Sequence, residues 1–195
     1  MIVELISVTP DCESVIEEAG RTCYQSKTGD KTIIQRWIKS GHLSLLEHAS
    51  VTFRVSGVSR ALTHQLVRHR TFSFSQKSQR YVREDGFDFV IPDSIKHHPN
   101  ELALSAYLAL MEAVQNTYKA FIEDGIPKED ARFILPNSCH TEIVFTSDFR
   151  NLRHFFELRL DKTSQWEIRL MANKMLEIVK DLAPNVFFDM EMKDE

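Results

Sequence analysis

Glycine is scarce in this chain. There are six in 195 residues, with no Gly-x-Gly step and no Gly-x4-Gly-Lys-Ser/Thr pattern. The backbone cradles that hold dinucleotides and nucleoside triphosphates are thereby excluded, so any phosphate must be held by side chains. Cysteine is rarer still: Cys12, Cys23 and Cys139 form no Cys-x2-Cys pair. Their odd number points to free thiols that pack as small buried hydrophobes. The eight histidines show no His-Glu-x2-His or other compact ligand spacing, and no metal is expected. No apolar run approaches the roughly 20 residues of a membrane-spanning helix. The N-terminal MIVELISVTPDCE lacks the basic start and small-residue cleavage site of a signal peptide. A cytoplasmic protein without a membrane partner is expected.

Acidic residues are missing from one long stretch. Between His48 and Arg83 lie seven cations (Arg54, Arg60, Arg68, Arg70, Lys77, Arg80, Arg83) and no Asp or Glu, although the whole chain carries a net charge of −4. The positive charge is concentrated where it can focus potential on an anion, while the rest of the surface is acidic. At its centre, Arg68 to Tyr81 sets cations, hydroxyls and amides beside Phe72, Phe74 and Tyr81. Composition alone leaves three readings of this run: a solvated basic loop, a nucleotide site, or a single-stranded nucleic-acid surface with stacking aromatics.

A chain of this length with 43% hydrophobic residues can bury the core of one domain, and residues 1–195 are read as a single domain. Residues 1–8 read as a mostly buried strand, and a helix follows over about 12–20. Ile34, Trp37 and Ile38 give helical spacing over 31–40, with Gly41 as the stop. Val51, Phe53 and Val55 alternate with polar residues as a half-buried strand does, Gly57 ends it, and Ser59 caps a helix running to about Arg68. On that helix Leu62 and Leu66 mark the core face, and Gln65, Arg68 and His69 share another. Residues 87–91 read as a strand, 101–123 as a long helix stopped at Gly125, and 128–135 as a short helix opened by Pro127. A strand is expected over 141–146. Asp148 caps a helix over 149–160, and Ser164 and Glu167 form a capping box for the last helix, with an apolar stripe of Ile168, Met171, Met175, Ile178 and Leu182. The pattern is α+β.

The order of residues in the basic run is more specific than its composition. Arg68-His69-Arg70, seven residues, Ser78, then Gln79-Arg80-Tyr81 resembles the signature of the flavin-dependent thymidylate synthases. The resemblance extends in order along the chain through Gly20-Arg21-Thr22-Cys23, Gly41-His42-x4-Glu47-His48, Ala131-Arg132-x2-Leu135-Pro136, the helix Arg150 to Arg159, and Gln165-Trp166-Glu167-Ile168. It implies an α+β fold with a twisted, largely antiparallel sheet and a homotetramer whose active sites are shared between subunits. The implied reaction is methylation of dUMP to dTMP, with 5,10-methylenetetrahydrofolate as carbon donor and NADPH as reductant through FAD.

By the same resemblance, Ser44, Arg68, His69, Arg70, Gln76, Asp148, Phe149, Arg150 and His154 fall on flavin-binding positions. Gln65, Leu66, Val67, Arg68, Gln76, Lys77, Ser78, Gln79, Arg80, Arg132 and Arg159 fall on dUMP-binding positions. His42 and Tyr81 lie near the flavin and folate. Arg159 matches the arginine set against the uracil edge and is the expected catalytic residue, since a cation there stabilises negative charge on the ring. Neighbours Phe155, Phe156, Leu158 and Leu160 surround it in sequence; on spacing alone it would be an arginine snorkelling from an apolar helix. Ser78 has no partner base in the sequence and reads as a hydrogen-bond donor to phosphate, not as a nucleophile. Two positions depart from the family pattern: Gln76 where Glu is common, and Asp148 where Asn is frequent. The competing reading, a non-catalytic nucleic-acid-binding protein using segment 54–83, predicts salt-dependent oligonucleotide affinity and no flavin.

Overall fold

In the computed structural model, which describes residues 1–25 and 30–192, helices and a four-stranded antiparallel sheet combine as an α+β fold. The elements are β1 (Ile2–Val8), α1 (Cys12–Tyr24), α2 (Ile33–Lys39), β2 (Ser50–Ser59), α3 (Arg60–Leu66), β3 (Ser73–Gln76), α4 (Asp93–Lys96), α5 (Leu102–Glu123), α6 (Lys128–Ala131), β4 (His140–Asp148), α7 (Phe149–Arg159) and α8 (Trp166–Leu182). Two 3-10 segments, Leu43–His48 and Arg132–Ile134, complete the set. The strand order is β1-β2-β4-β3. The chain forms two compact units, one of residues 1–55, 65–75 and 144–195, the other of 56–64 and 76–143.

The first unit is built around aromatic rings. Phe72 stacks on Phe145 at 5.9 Å and meets Phe155 at 5.8 Å, while Phe53 lies 5.9 Å from Phe145. Phe53, Phe145 and Phe155 are at most 1% exposed, and burying such a side chain contributes about 3 kcal/mol. Alternation along β2 and β4 puts these rings on one face of the sheet, as period-2 patterning requires. On α8 the core stripe is Ile168, Met171, Ala172, Met175, Leu176 and Val179, with Ile178 and Leu182 at its half-buried margin. Gly20 lets α1 approach α2: a Cβ there would sit 2.2 Å from the Trp37 ring.

In the second unit α5 carries the core. Phe87, Met111 and Cys139 are buried together, with Phe89, Tyr107, Val114 and Leu135 against them. Three α5 side chains hold the segment that precedes it: Tyr107 donates to the Val90 carbonyl at 2.7 Å, Gln115 to the Phe87 carbonyl at 2.7 Å, and the Tyr118 hydroxyl accepts the Glu84 N–H at 3.3 Å.

Several expectations change. Residues 87–91 make only one bridge, Phe89 to Cys139, because α5 side chains take the carbonyls of Phe87 and Val90. β1 is largely exposed, Ile2 at 60% and Ile6 at 46%, since it is an edge strand. Gly57 does not end β2 but sits within it at φ +64°, and α3 stops at Leu66, leaving Arg68 and His69 in turns. The cap of α8 is Gln165, whose side-chain oxygen accepts the N–H groups of Glu167 and Ile168, and not Ser164. Cys23 is exposed, whereas Cys12 and Cys139 are buried as expected. Ser59 does cap α3, accepting the Leu62 N–H at 3.0 Å.

Replacing Gly20 by Ala should destabilise the protein by about 1–3 kcal/mol, because the added methyl meets a ring that cannot yield without moving a helix. Urea unfolding checks this; unchanged stability would mean that the α1–α2 packing is looser than described.

Candidate active site

Asp148 closes β4 and opens α7: its carboxylate accepts the Asn151 N–H at 2.8 Å. Such a cap contributes about 1 kcal/mol and places the helix dipole's positive end beside the site. The first turns of α7 border a cleft of about 710 Å³, reached by Lys39, Glu47, Thr71, Asp148, Arg150 and His154 and floored by Ile38, Leu43 and Leu46. That volume lies within the range of small-ligand sites. Arg150 pairs with Glu47, and His154 Nδ1 lies 3.4 Å from Glu157. Ser44 is exposed on the neighbouring 3-10 segment, while Phe149 is fully buried, its ring 5.4 Å from Phe187 and its N–H donated to the Ala49 carbonyl at 2.9 Å.

Arg153 also borders the cleft, and sequence reasoning missed it. It is 7% exposed, binds Asp189 through two bonds of 2.8 and 2.9 Å and donates to the Val186 carbonyl. The spacing 149, 153, 156 was a readable signal, because a charge on a helix's core stripe must find a partner. Asp189 lies in irregular chain and offered none.

His69 and Arg159 meet in the same unit. Arg159 Nε donates to His69 Nε2 at 2.9 Å, and its Nη2 reaches the Gln65 carbonyl at 3.4 Å. The imidazole packs edge-on to Phe155 at 5.0 Å and 5.6 Å from Phe72. Burial, with Arg159 and then His154 adding to it, lowers the His69 pKa from 6.5 to about 4. Burial also lowers the Arg159 pKa, and the side chain is anchored, not snorkelling. Arg68 and Arg70 are exposed, and neither is engaged by a carboxylate among the described residues. Leu66 is fully buried and offers a ligand no surface, whereas Val67 is 38% exposed.

The remaining predicted residues lie in the second unit. Gln76 Nε2 donates to Thr63 Oγ1 at 2.9 Å and Thr141 Oγ1 at 3.2 Å. Because the Thr63 hydroxyl donates to the Arg60 carbonyl at 3.0 Å, it must accept from residue 76, which favours the amide over the family's carboxylate. Lys77 is bound at 2.8 Å by Glu84, whose side chain is 3% exposed, so its charge is already compensated. Gln79 is buried, 3.8 Å from Cys139 Sγ. The Ser78 hydroxyl accepts the Arg80 N–H at 3.3 Å, and no imidazole or carboxylate bonds to it among the described residues. Arg80 forks onto Glu129 at 2.9 and 3.1 Å, while Arg132 Nε donates to the Glu129 carbonyl at 3.1 Å. Burial, with Glu84 next, raises the Cys139 pKa to about 11, so this thiol is not a nucleophile at neutral pH.

An α+β protein that presents arginines from turns and helix ends, with no glycine cradle, is in class a side-chain anion binder. Comparison with known proteins narrows the class. Residues 4–185 match the family model described as thymidylate synthase complementing protein. The chain is 44% identical over 202 residues to a flavin-dependent thymidylate synthase of Geobacter sulfurreducens, covering 97% of this chain and 86% of the relative. It is 39% identical over 215 residues to one of Clostridium tetani, covering 95% and 84%, and 49% identical over 158 residues to one of Pyrococcus horikoshii, covering 77% and 64%. The chain belongs to the flavin-dependent thymidylate synthase family.

Two outcomes follow from this geometry. Gln76→Glu should cost about 1–3 kcal/mol in urea unfolding, since the carboxylate has no proton for a hydroxyl whose own proton is committed; an unchanged midpoint would mean that the Thr63 hydroxyl turns freely. For His69 the folded pKa is the lower one, so its stabilising contribution is complete above pH 6.5 and is lost as the pH falls toward about 4. The loss reaches about 3 kcal/mol and is absent in His69→Gln; equal acid sensitivity in both proteins would contradict the assignment.

Proposed function

We propose that the chain is a flavin-dependent thymidylate synthase that reductively methylates dUMP to dTMP, with 5,10-methylenetetrahydrofolate as carbon donor and NADPH as the source of reducing equivalents. The observation that carries this reading is the match to the family over residues 4–185, within which Arg68, Arg70 and Arg159 keep guanidinium N–H groups uncommitted. The cleft beside α7 has room for a cofactor: Lys39, Arg150 and His154 border it together with Glu47, Asp148, Glu157 and Asp189, and the positive end of α7 lies there. Arg150 is paired with Glu47 at an exposed position from which a phosphate can displace the carboxylate. Arg68, His69, Arg70, Ser44, Arg150 and His154 would hold FAD, with Asp148 and Phe149 contributing by fixing the start of α7. Bound FAD, reduced by NADPH, supplies the hydride.

Toward the nucleotide, Arg159 stabilises negative charge on the pyrimidine; the Gln65 carbonyl accepts from its Nη2, and Val67 and Arg68 precede His69 in the chain. Arg80 and Arg132 serve the phosphate. The Arg80–Glu129 pair is half exposed and solvent-screened, so a phosphate dianion displaces that carboxylate readily. Lys77 acts through Glu84, fixing the turn that carries Ser78 and Gln79. The family match runs through both compact units, which supports one functional domain over 1–195. A homotetramer with shared sites is supported by apolar side chains that one chain leaves open, Leu102, Leu108 and Leu110 on α5 and Ile2 and Ile6 on β1. No helix among the described residues is long and apolar enough to cross a membrane. The nucleic-acid alternative is disfavoured by the match of residues 4–185 to the thymidylate synthase family.

The purified protein should be yellow and should release tritium from 5-labelled dUMP only with methylenetetrahydrofolate and NADPH. Arg159→Ala should keep its fold by circular dichroism and lose roughly 10²–10³-fold in kcat. A colourless, inactive protein would overturn the reading, and full turnover in Arg159→Ala would remove the residue from the chemistry.

A further inference from the structure

An arginine guanidinium has five N–H donors and no acceptor, and in proteins it stays protonated. The 2.9 Å bond from Arg159 Nε to His69 Nε2 therefore requires a lone pair on that nitrogen, and the ring proton must sit on Nδ1. We propose that His69 is a positioning residue that acts through Arg159: as a neutral imidazole protonated on Nδ1, it accepts the Nε–H and aims the remaining guanidinium donors at the substrate. The inference rests on the reading of Arg159 as the residue that meets the pyrimidine.

Geometry supports this role from three sides. Phe155 and Phe72 clamp the ring at 5.0 and 5.6 Å, so it cannot turn to offer its other nitrogen without moving the aromatic core. His69 is 9% exposed, so water does not replace Arg159 as its partner at little cost. The Gln65 carbonyl takes one Nη2 proton at 3.4 Å, which leaves three N–H groups, including both on Nη1, for a ligand. The charged groups set against the ring are Arg159 and His154 from α7, with Arg68 and Arg70 beside it in the chain; Glu157 Oε2 is 3.4 Å from His154 Nδ1. Protonating His69 would set imidazolium against guanidinium with no carboxylate between them, and the arginine would leave its place. The same arrangement bars His69 from serving as a proton donor through Nε2 and leaves Nδ1–H as its one donor.

The test uses the flavin-loaded protein as purified. With 15N-histidine labelling, long-range 1H–15N spectra should show the His69 ring, identified by its absence in His69→Gln, as neutral with the proton on Nδ1 and still neutral at about pH 5.5, a pH at which an ordinary histidine is charged. An Nε2–H tautomer, or an imidazolium at that pH, would overturn the proposal. In kinetics at saturating FAD, His69→Phe retains a ring without an acceptor and should lose on the order of 10²-fold in kcat/KM for dUMP, whereas His69→Gln retains an acceptor oxygen and should lose at least roughly tenfold less than His69→Phe. Equal activity in the two variants would also overturn it. If the wild-type protein forms no dTMP, the proposed function fails on its own, and the tautomer still decides whether His69 holds Arg159.

Discussion

Arginine can only donate hydrogen bonds, and the only way to fix one inside a partly apolar site without a carboxylate is to give it a neutral acceptor. Here the acceptor is an imidazole, and it stays neutral because Phe72 and Phe155 bury it. A carboxylate would hold Arg159 more strongly but would cancel the positive charge that an anionic transition state needs. A histidine holds the position and leaves the charge intact. The aromatic cluster of the first unit thus holds the imidazole and the arginine as well as the core, since removing a ring would loosen both together.

The other cations divide by the same criterion. Lys77 and Arg153 are bound by Glu84 and Asp189 and are structural: Lys77 ties the residue after β3 to the loop at Glu84, and Arg153 ties α7 to the irregular segment at Asp189. Breaking such a shielded pair from one side costs about 3 kcal/mol, more than most surface changes. Among the described residues Arg68, Arg70 and Arg159 have no carboxylate partner, and Arg80 has one that solvent already weakens. The sequence alone shows one basic block; the structure separates the cations that hold the fold from those left for a ligand.

Local signals were legible because the physics behind them is local. The Asp148 and Ser59 caps, the alternation of β2 and β4 and the glycine stop after α5 each depend on residues within a few positions of one another. Where distant residues decide, the reading failed: 87–91 has the composition of a strand, but Tyr107 and Gln115 of α5 take its carbonyls. Gln165 displaces Ser164 as the cap of α8 by reaching two N–H groups at once. In the motif Arg68-His69-Arg70 the two arginines are exposed while the histidine turns inward, a difference that burial sets and spacing does not. The partners Glu84, Glu129 and Asp189 carry no motif and become visible only once the chain is folded.

The central claim is that a neutral His69 holds Arg159 against the pyrimidine. A crystal structure of the protein with FAD and dUMP tests it most directly. The account predicts a free Arg159 N–H at the edge of the uracil ring while Nε remains on His69 Nε2. A nucleotide bound without contact to Arg159, or an Arg159 released from His69 in the complex, would contradict it.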